Sequence, residues 1–333
     1  MDTRAVEQCL ASVPQHAQKL RVISISQPWH NFTFPMAVLA RNDGVSRVLE
    51  QDGWWEARTP EELLHPHTKH RKGAQLSAPK RVHEHRMFLD VGANIGYLSL
   101  MHAFAGYQVV AVEAMEQNRA ALRTSLCLNP GLNHRVTLVA TALGSDTQVA
   151  AGSHCVTYTI DRNRGNGITK CEPSLSCATV RKRYAMHGQR DQHKAIWSCE
   201  EVSLRTLDEV MRSSSWPEGV SHSVHTMKMD VEGSERNVLA GATKLFEPSN
   251  AGRPLHAIFE VALDDVARPG LGSSIERFTR ELAARAGYNL IVTGWNASWT
   301  AAYNREHNPY ALYDRTAFLT RRDIPRADLG SRS

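Results

Sequence analysis

The chain has 333 residues, enough for one large domain or two ordinary ones, and its 39 Lys and Arg against 34 Asp and Glu leave a net charge of +5, too mild to argue for nucleic acid by itself. No apolar run reaches the length of a membrane span, and the first residues, Met-Asp-Thr-Arg-Ala-Val-Glu-Gln, lack a signal-peptide core, so a cytoplasmic protein is expected. Six cysteines are too few for a disulfide scaffold, and Cys127 falls on an expected helix, which makes reduced thiols the plain reading.

Residues 1–87 read as an N-terminal extension or small subdomain ahead of a catalytic domain over 88–325. Within it, 20–25 and 37–40 look like short strands, 45–50 like a helical turn, and the Trp54-Trp55 pair like packing of a small subdomain. Residues 66–79 have little apolar content and read as an exposed linker. The surrounding stretch, 65–86, sets six Lys and Arg against Glu84 alone.

From Phe88 a regular alternation begins. Phe88, Leu89 and Val91 form a short apolar run around Asp90, Gly92 and Gly96 open a turn, and Tyr97-Leu-Ser-Leu-Met101 starts a helix. A second run ends about twenty residues on at Glu113, where such folds keep the carboxylate that binds ribose hydroxyls. The turn lacks the third glycine of a dinucleotide site, and Asp90 would repel a pyrophosphate. The same carboxylate suits the ammonium and sulfonium of S-adenosylmethionine, which is therefore preferred over a nicotinamide cofactor.

A helix over 116–128 stops at Asn129-Pro130, 136–140 is the third strand, and Ala142-Leu143-Gly144 forms a small turn suited to an adenine ring. Residues 146–200 interrupt the series with an insertion that carries the Gly-rich 163–167 and a basic cluster at 181–194. The series resumes at 202, where Thr206 and Glu209 have capping-box spacing. A strand over 226–230 ends in Asp230 and Glu232, with Lys228 two residues before Asp230 on the same strand face. Residues 257–261 form a further strand with Glu260 near its end, Ser273 and Glu276 a second capping box, and 288–293 and 316–320 the last two strands.

Taken in order, FLDVGANIG (88–96), Glu113, ALGS (142–145), NRGNG (163–167), SLRTLDEV (203–210), MKMDVEGSERNVL (227–239) and IFEV (258–261) resemble the FkbM-type methyltransferases, a branch of the class I S-adenosylmethionine-dependent enzymes. The resemblance implies a Rossmann-like α/β fold whose seven-stranded sheet is mostly parallel with the last strand antiparallel and helices on both faces. It implies cofactor at the carboxyl ends of the strands and, as the usual activity, O-methylation of a sugar or small natural product. Asp90, Gly92, Asn94, Gly96, Glu113, Ala142 and Leu143 are then the expected cofactor-binding residues. Asp230, Glu232 and Lys228 are the expected catalytic group, with S-adenosylhomocysteine as product.

Other readings stay open beside this one. The basic segments 65–86 and 181–194 would suit an RNA methyltransferase. Asp230 and Glu260 could hold Mg²⁺ with several waters, although a carboxylate pair is a minimal ligand set and no metal is expected. Asp230 and Glu232 could also simply favour the start of the next helix. Cys171, Cys177, His187, His193 and Cys199 lack the tight Cys-x-x-Cys pairing of structural zinc, so the 171–199 insertion is expected neither to bind metal nor to matter for cofactor binding. Trp295, Trp299 and Tyr303 recur at helical spacing and read as packing, or as a stacking wall for a sugar or base.

Overall fold

The apolar runs that begin at Met87 build one seven-stranded sheet in the computed structural model, which describes residues 3–11, 19–27, 32–64, 86–160, 163–187, 196–213, 223–261, 274–294 and 315–323. Ahead of that sheet lie α1 (Thr3–Ala11), β1 (Leu20–Gln27), β2 (Phe32–Leu39), α2 (Gly44–Asp52) and α3 (Pro60–Leu63). The alternating part follows as β3 (Met87–Val91), α4 (Tyr97–Phe104), β4 (Gln108–Glu113), α5 (Glu116–Leu128) and β5 (Val136–Ala140). After an excursion it resumes with β11 (Val224–Met229), α9 (Glu235–Ala240), β12 (His256–Val261), α10 (Ser274–Ala286), β13 (Tyr288–Gly294) and β14 (Arg315–Arg321).

The sheet order is β13-β14-β12-β11-β3-β4-β5, parallel throughout except for β14, which runs antiparallel to both neighbours. This is the expected Rossmann-like arrangement, and its chain reversal falls between β3 and β11, where ligands of open α/β sheets bind. Every residue of β3 and β11 is buried, as central parallel strands covered on both faces require. Side chains alternate accordingly: Phe88, Val109 and Ala111 pack with α4 and α5, while Leu89, Val91, Val110 and Val112 pack against the α9 and α10 side.

Residues 20–64 share the first of these two cores. The antiparallel β1–β2 hairpin lays Phe34, Met36 and Val38 into one cluster with Leu100, Leu122 and Leu126. Polar bonds fix its register: the Ala37 amide donates to Ser125 Oγ at 2.9 Å, and Asn129 Nδ2 donates to the Pro35 carbonyl at 2.7 Å. Tyr97 closes the other end, its hydroxyl donating to the Ala57 carbonyl at 3.2 Å. The N-terminal segment is thus a wall of the catalytic fold.

The excursion contains β6 (Ala142–Leu143), α6 (Asp146–Ala150), β7 (His154–Ile160), β8 (Asn163–Glu172), α7 (Cys177–His187), β9 (Ile196–Val202), β10 (Leu204–Arg205) and α8 (Leu207–Ser213). Strands β7, β8 and β9 make a separate antiparallel sheet with its own small core of Val156, Tyr158, Leu175 and Val180. The capping box expected at Thr206 is present, with the Thr206 amide donating to Glu209 at 2.9 Å and the Glu209 amide to Thr206 Oγ1 at 3.1 Å. Ser273, Trp295, Trp299, Tyr303 and His193 lie outside the described residues.

The expectation of reduced thiols is overturned. All six cysteines pair, as Cys9–Cys127, Cys155–Cys171 and Cys177–Cys199. Counting cysteines per residue detects only disulfide-dense scaffolds, and these pairs are created by tertiary placement: α1 packs on α5, and Cys155 faces Cys171 across the β7–β8 ladder. The Cys9–Cys127 bond spans 118 residues, a loop for which chain-entropy arguments give on the order of 4 to 5 kcal/mol. Non-reducing peptide mapping should recover three linked pairs, and Cys9→Ser with Cys127→Ser should lower the unfolding temperature by several degrees; six titratable thiols in denatured, unreduced protein would contradict the pairing.

Candidate active site

Two chambers meet over the carboxyl ends of β3, β4 and β11. The first lies between Glu113, Met115, Asn118, Ala142, Leu143 and Thr157, and the second between Asp43, Trp55, Asp90, Tyr97 and Lys228. Gly92, Asn94, Asn166, Asp230 and Glu232 line both, so these five residues form the junction.

Glu113 ends β4 and is 7% exposed, yet both its oxygens are engaged: Oε2 accepts from the Asn94 amide and Oε1 from the Met115 amide, each at 2.8 Å. A carboxylate oxygen accepts more than one hydrogen bond, so each retains capacity for a hydroxyl while its orientation is fixed. Burial drives the Glu113 pKa up to about 7 against the two amide bonds and Arg119, which lower it. Asn118 Oδ1 and Thr157 Oγ1, on the same chamber wall, are buried with no hydrogen-bond partner from the protein. Such orphaned polar atoms are costly unless a ligand satisfies them, and an adenosine with its amine and ribose diol has the matching groups.

The backbone around the junction is unusual. Among the described residues, Asn42, Glu56, Asn94, Ser174 and Glu232 are the non-glycine residues with left-handed backbone, and all but Ser174 lie at or next to the two chambers. Strain of this kind persists where surrounding structure enforces it. Gly92 shows the enforcement: a Cβ there would lie 1.8 Å from the Asp230 carbonyl oxygen, so the ends of β3 and β11 approach closely only because residue 92 has no side chain.

Lys228, Asp230 and Glu232 are brought together as expected. Lys228 Nζ is buried 3.2 Å from Asp230 Oδ2, and on its other side 3.3 Å from Glu56 Oε1, which also accepts from Trp55 Nε1 at 3.1 Å. Asp230 Oδ1 has no hydrogen-bond partner. Glu235, the first residue of α9, turns its Oε1 back onto the preceding turn, accepting from the Val231 and Gly233 amides at 3.2 Å.

Of two further expected cofactor residues, Gly96 stands off both chambers and Asp90 lines one of them. Gly96 is on neither chamber wall; its φ of +88° turns the chain into α4, and a Cβ there would strike Leu122, so its glycine requirement comes from helix packing. Asp90 lies in the second chamber, 1% exposed, with Oδ2 accepting from Ser99 Oγ at 2.6 Å and Oδ1 unpartnered. Asp43, Glu56, Asn118 and Thr157 escaped the sequence reading because each reaches the site by tertiary packing. Asn118 alone left a trace, as a polar residue on the buried face of α5.

The early part of the insertion also matters here. Gly165, Asn166, Gly167 and Thr169 of β8 line the first chamber, and Asn118 Nδ2 donates to the Gly165 carbonyl at 3.0 Å. The segment beyond it is tied on through β9, where Glu200 accepts from the Glu116 amide and pairs with Arg119 at 3.5 Å. The strands on either side of residues 171–199 therefore brace the chamber wall.

Among the described lining residues, Asp43, Asp90, Glu113, Asp230 and Glu232 outnumber the single cation Lys228. That imbalance fits a cationic cofactor and opposes a pyrophosphate. Among the described residues no group of three or more His, Cys, Asp and Glu is spaced to hold a metal, and the Glu260 side chain lies outside them. The basic segment 65–85 and residues 188–195 are outside as well; of the rest, Arg183 on α7 pairs with Glu172 at 2.7 Å.

The profile of the methyltransferase FkbM domain matches residues 90–290. Similar solved structures include the N-terminal domain of human METTL16 in complex with SAH, at 8% identity over 71% of this chain and 61% of that one, with a TM-score of 0.33. A precorrin-6y C5,15-methyltransferase from Geobacter metallireducens has 9% identity over 72% and 82% with a TM-score of 0.30. The methyltransferase domain of a bacterial CtHen1 has 12% identity over 71% and 90% with a TM-score of 0.30. No curated protein sequence matches the chain.

Burial raises the Asp90 pKa from its ordinary 3.8 to about 6, with Lys228 and Ser99 opposing. An acid shifted this way binds more protons folded than unfolded, so its contribution is fully present below about pH 4 and is lost as pH rises through about 6. Ligand-free Asp90→Asn should therefore unfold at a higher temperature than the parent at pH 8, with the gap closing toward pH 5. A gap that widens on acidification would contradict the burial cost.

Proposed function

Because the chain belongs to the FkbM family of methyltransferases, we propose that it moves a methyl group from S-adenosylmethionine to a hydroxyl oxygen of a sugar or small natural product, with Asp230 as the residue that orients that hydroxyl. The observation carrying this reading is the junction. Asp230 and Glu232 line both chambers, and the reacting methyl of a cofactor with its adenosine in one and its amino-acid tail in the other would lie between them.

When bound, S-adenosylmethionine supplies an electrophilic methyl on a sulfonium and leaves as S-adenosylhomocysteine. The protein's own work is alignment and proton handling. Glu113 would hold the ribose hydroxyls with the capacity its two amide bonds leave, and Ala142, Leu143, Asn118 and Thr157, which line the same chamber, would hold the adenine. Lys228 holds Asp230 by Oδ2, which leaves Oδ1 for the acceptor hydroxyl. Asp230 would accept the proton that the acceptor hydroxyl gives up as its oxygen takes the methyl. Glu232 is the second carboxylate within the junction.

A nicotinamide cofactor suits this site poorly, since its pyrophosphate would meet Asp90, Asp230 and Glu232. The disulfides favour folding in an oxidising compartment, in place of the cytoplasmic setting first expected.

Two measurements test the proposal. Calorimetry on Glu113→Ala should show S-adenosylhomocysteine binding weakened at least about tenfold, a loss on the order of a few kcal/mol. Asp230→Asn should bind the same ligand normally while losing most of the methyl transfer detected by mass spectrometry of acceptor pools incubated with isotope-labelled cofactor. Full turnover by Asp230→Asn would remove Asp230 from the chemistry, and unchanged affinity in Glu113→Ala would remove the ribose contact.

A further inference from the structure

Resting on the cofactor reading above, we propose that Asp43, which lies outside the family-matched segment, binds the methionine ammonium of the cofactor together with Asp90. Asp43 precedes α2, and its Oδ2 accepts from the Ser46 amide at 2.7 Å, so half of the carboxylate caps that helix. The other oxygen, Oδ1, is buried with no hydrogen-bond partner, in a residue 7% exposed that lines the second chamber. Asp90 has the same division, with Oδ2 spent on Ser99 and Oδ1 buried and unpartnered in the same chamber. Two such oxygens are a mismatch inside a protein, because each carries desolvation cost without return. A primary ammonium, with three donors and a full charge, has the chemistry that both oxygens lack.

Among the described residues, the cation that acts on Asp90 is Lys228, already paired with Glu56 and Asp230, and the one that acts on Asp43 is Arg47, an exposed residue of its own helix. Burial raises the pKa of Asp43 as it does that of Asp90, the expected state of carboxylates awaiting a counterion. The position of Asp43 is built. Its preceding residue accepts the Arg164 amide at 2.7 Å, and a Cβ on Gly165 would lie 1.9 Å from Asp43 Oδ1, so β8 is shaped around the carboxylate. The chamber holds about 140 Å³, the scale of a cavity that admits one small ring, which suits an amino-acid tail.

The test compares two ligands that differ by this tail. S-adenosylhomocysteine carries the ammonium, and 5′-methylthioadenosine has the same adenosine and sulfur without it. Asn caps a helix as well as Asp does, so Asp43→Asn should fold, which thermal unfolding verifies. By calorimetry, Asp43→Asn should bind S-adenosylhomocysteine at least about tenfold more weakly and 5′-methylthioadenosine within about twofold of the parent. Equal weakening of both ligands would mean a structural role, and no weakening of either would mean no contact; both outcomes overturn the proposal. If the parent protein binds neither ligand, the cofactor reading itself fails and takes this one with it.

Discussion

Lys228 is buried between Glu56 and Asp230, and that single ammonium is asked to balance a site lined by carboxylates. A buried charge is tolerated when it is paired, and one cation shared among Glu56, Asp230 and the nearby Asp90 leaves a surplus of negative charge. The rest of the arrangement follows from where that surplus is stored. Backbone amides fix Glu113, Ser99 holds one oxygen of Asp90, and the α2 terminus holds one oxygen of Asp43. Each carboxylate keeps a fixed direction and an incomplete hydrogen-bond shell. Such an arrangement costs stability in the ligand-free chain, and a cation bound there would regain it.

Three parts of the chain, distant in sequence, must close on one another for this to hold. The β3–β4–β11 edge supplies Asp90, Glu113 and Asp230, the N-terminal wall supplies Asp43 and Glu56, and β8 supplies Gly165 and Asn166. Their contacts are steric as much as polar. Gly92 lets Asp230 approach β3, Gly165 lets Asp43 approach β8, and a Cβ on Gly167 would overlap Met115 on the chamber wall. These positions leave no room for a methyl group, so the glycines of 163–167 are explained by packing against neighbours and not by flexibility.

The strands and helices around Asp90, Glu113 and Asp230 were legible in the sequence because their signals are local. An apolar run, a Gly turn and a helix start fix the carboxyl end of each strand, and the parallel topology then brings those ends to one edge. The walls were not legible. Asp43 reads locally as a helix cap and Glu56 as a charge beside tryptophans, and nothing within several residues of either shows which strand end it will face. Gly96 misled for the opposite reason, since a glycine in a cofactor motif can be required by a leucine on the next helix, here Leu122. The cysteines lie between these cases: Cys155 and Cys171 could be paired once β7 and β8 were known to form a hairpin, whereas Cys9–Cys127 depends on where α1 docks.

That docking bears on the site through α5. The helix begins beside Glu113, carries Asn118 on the chamber wall, accepts the β2 hairpin through Ser125 and ends in the disulfide-bearing turn at Cys127. A rigid helix transmits a shift at one end to the other, because packed interiors deform little. Tying α1 to Cys127 therefore fixes one wall of the first chamber, and the β7–β8 disulfide at Cys155–Cys171 restrains the sheet that forms another. With both walls covalently anchored, the first chamber gains its order from cross-links in the segments that sequence patterning describes least, while the strand ends that carry the carboxylates gain theirs from the buried sheet.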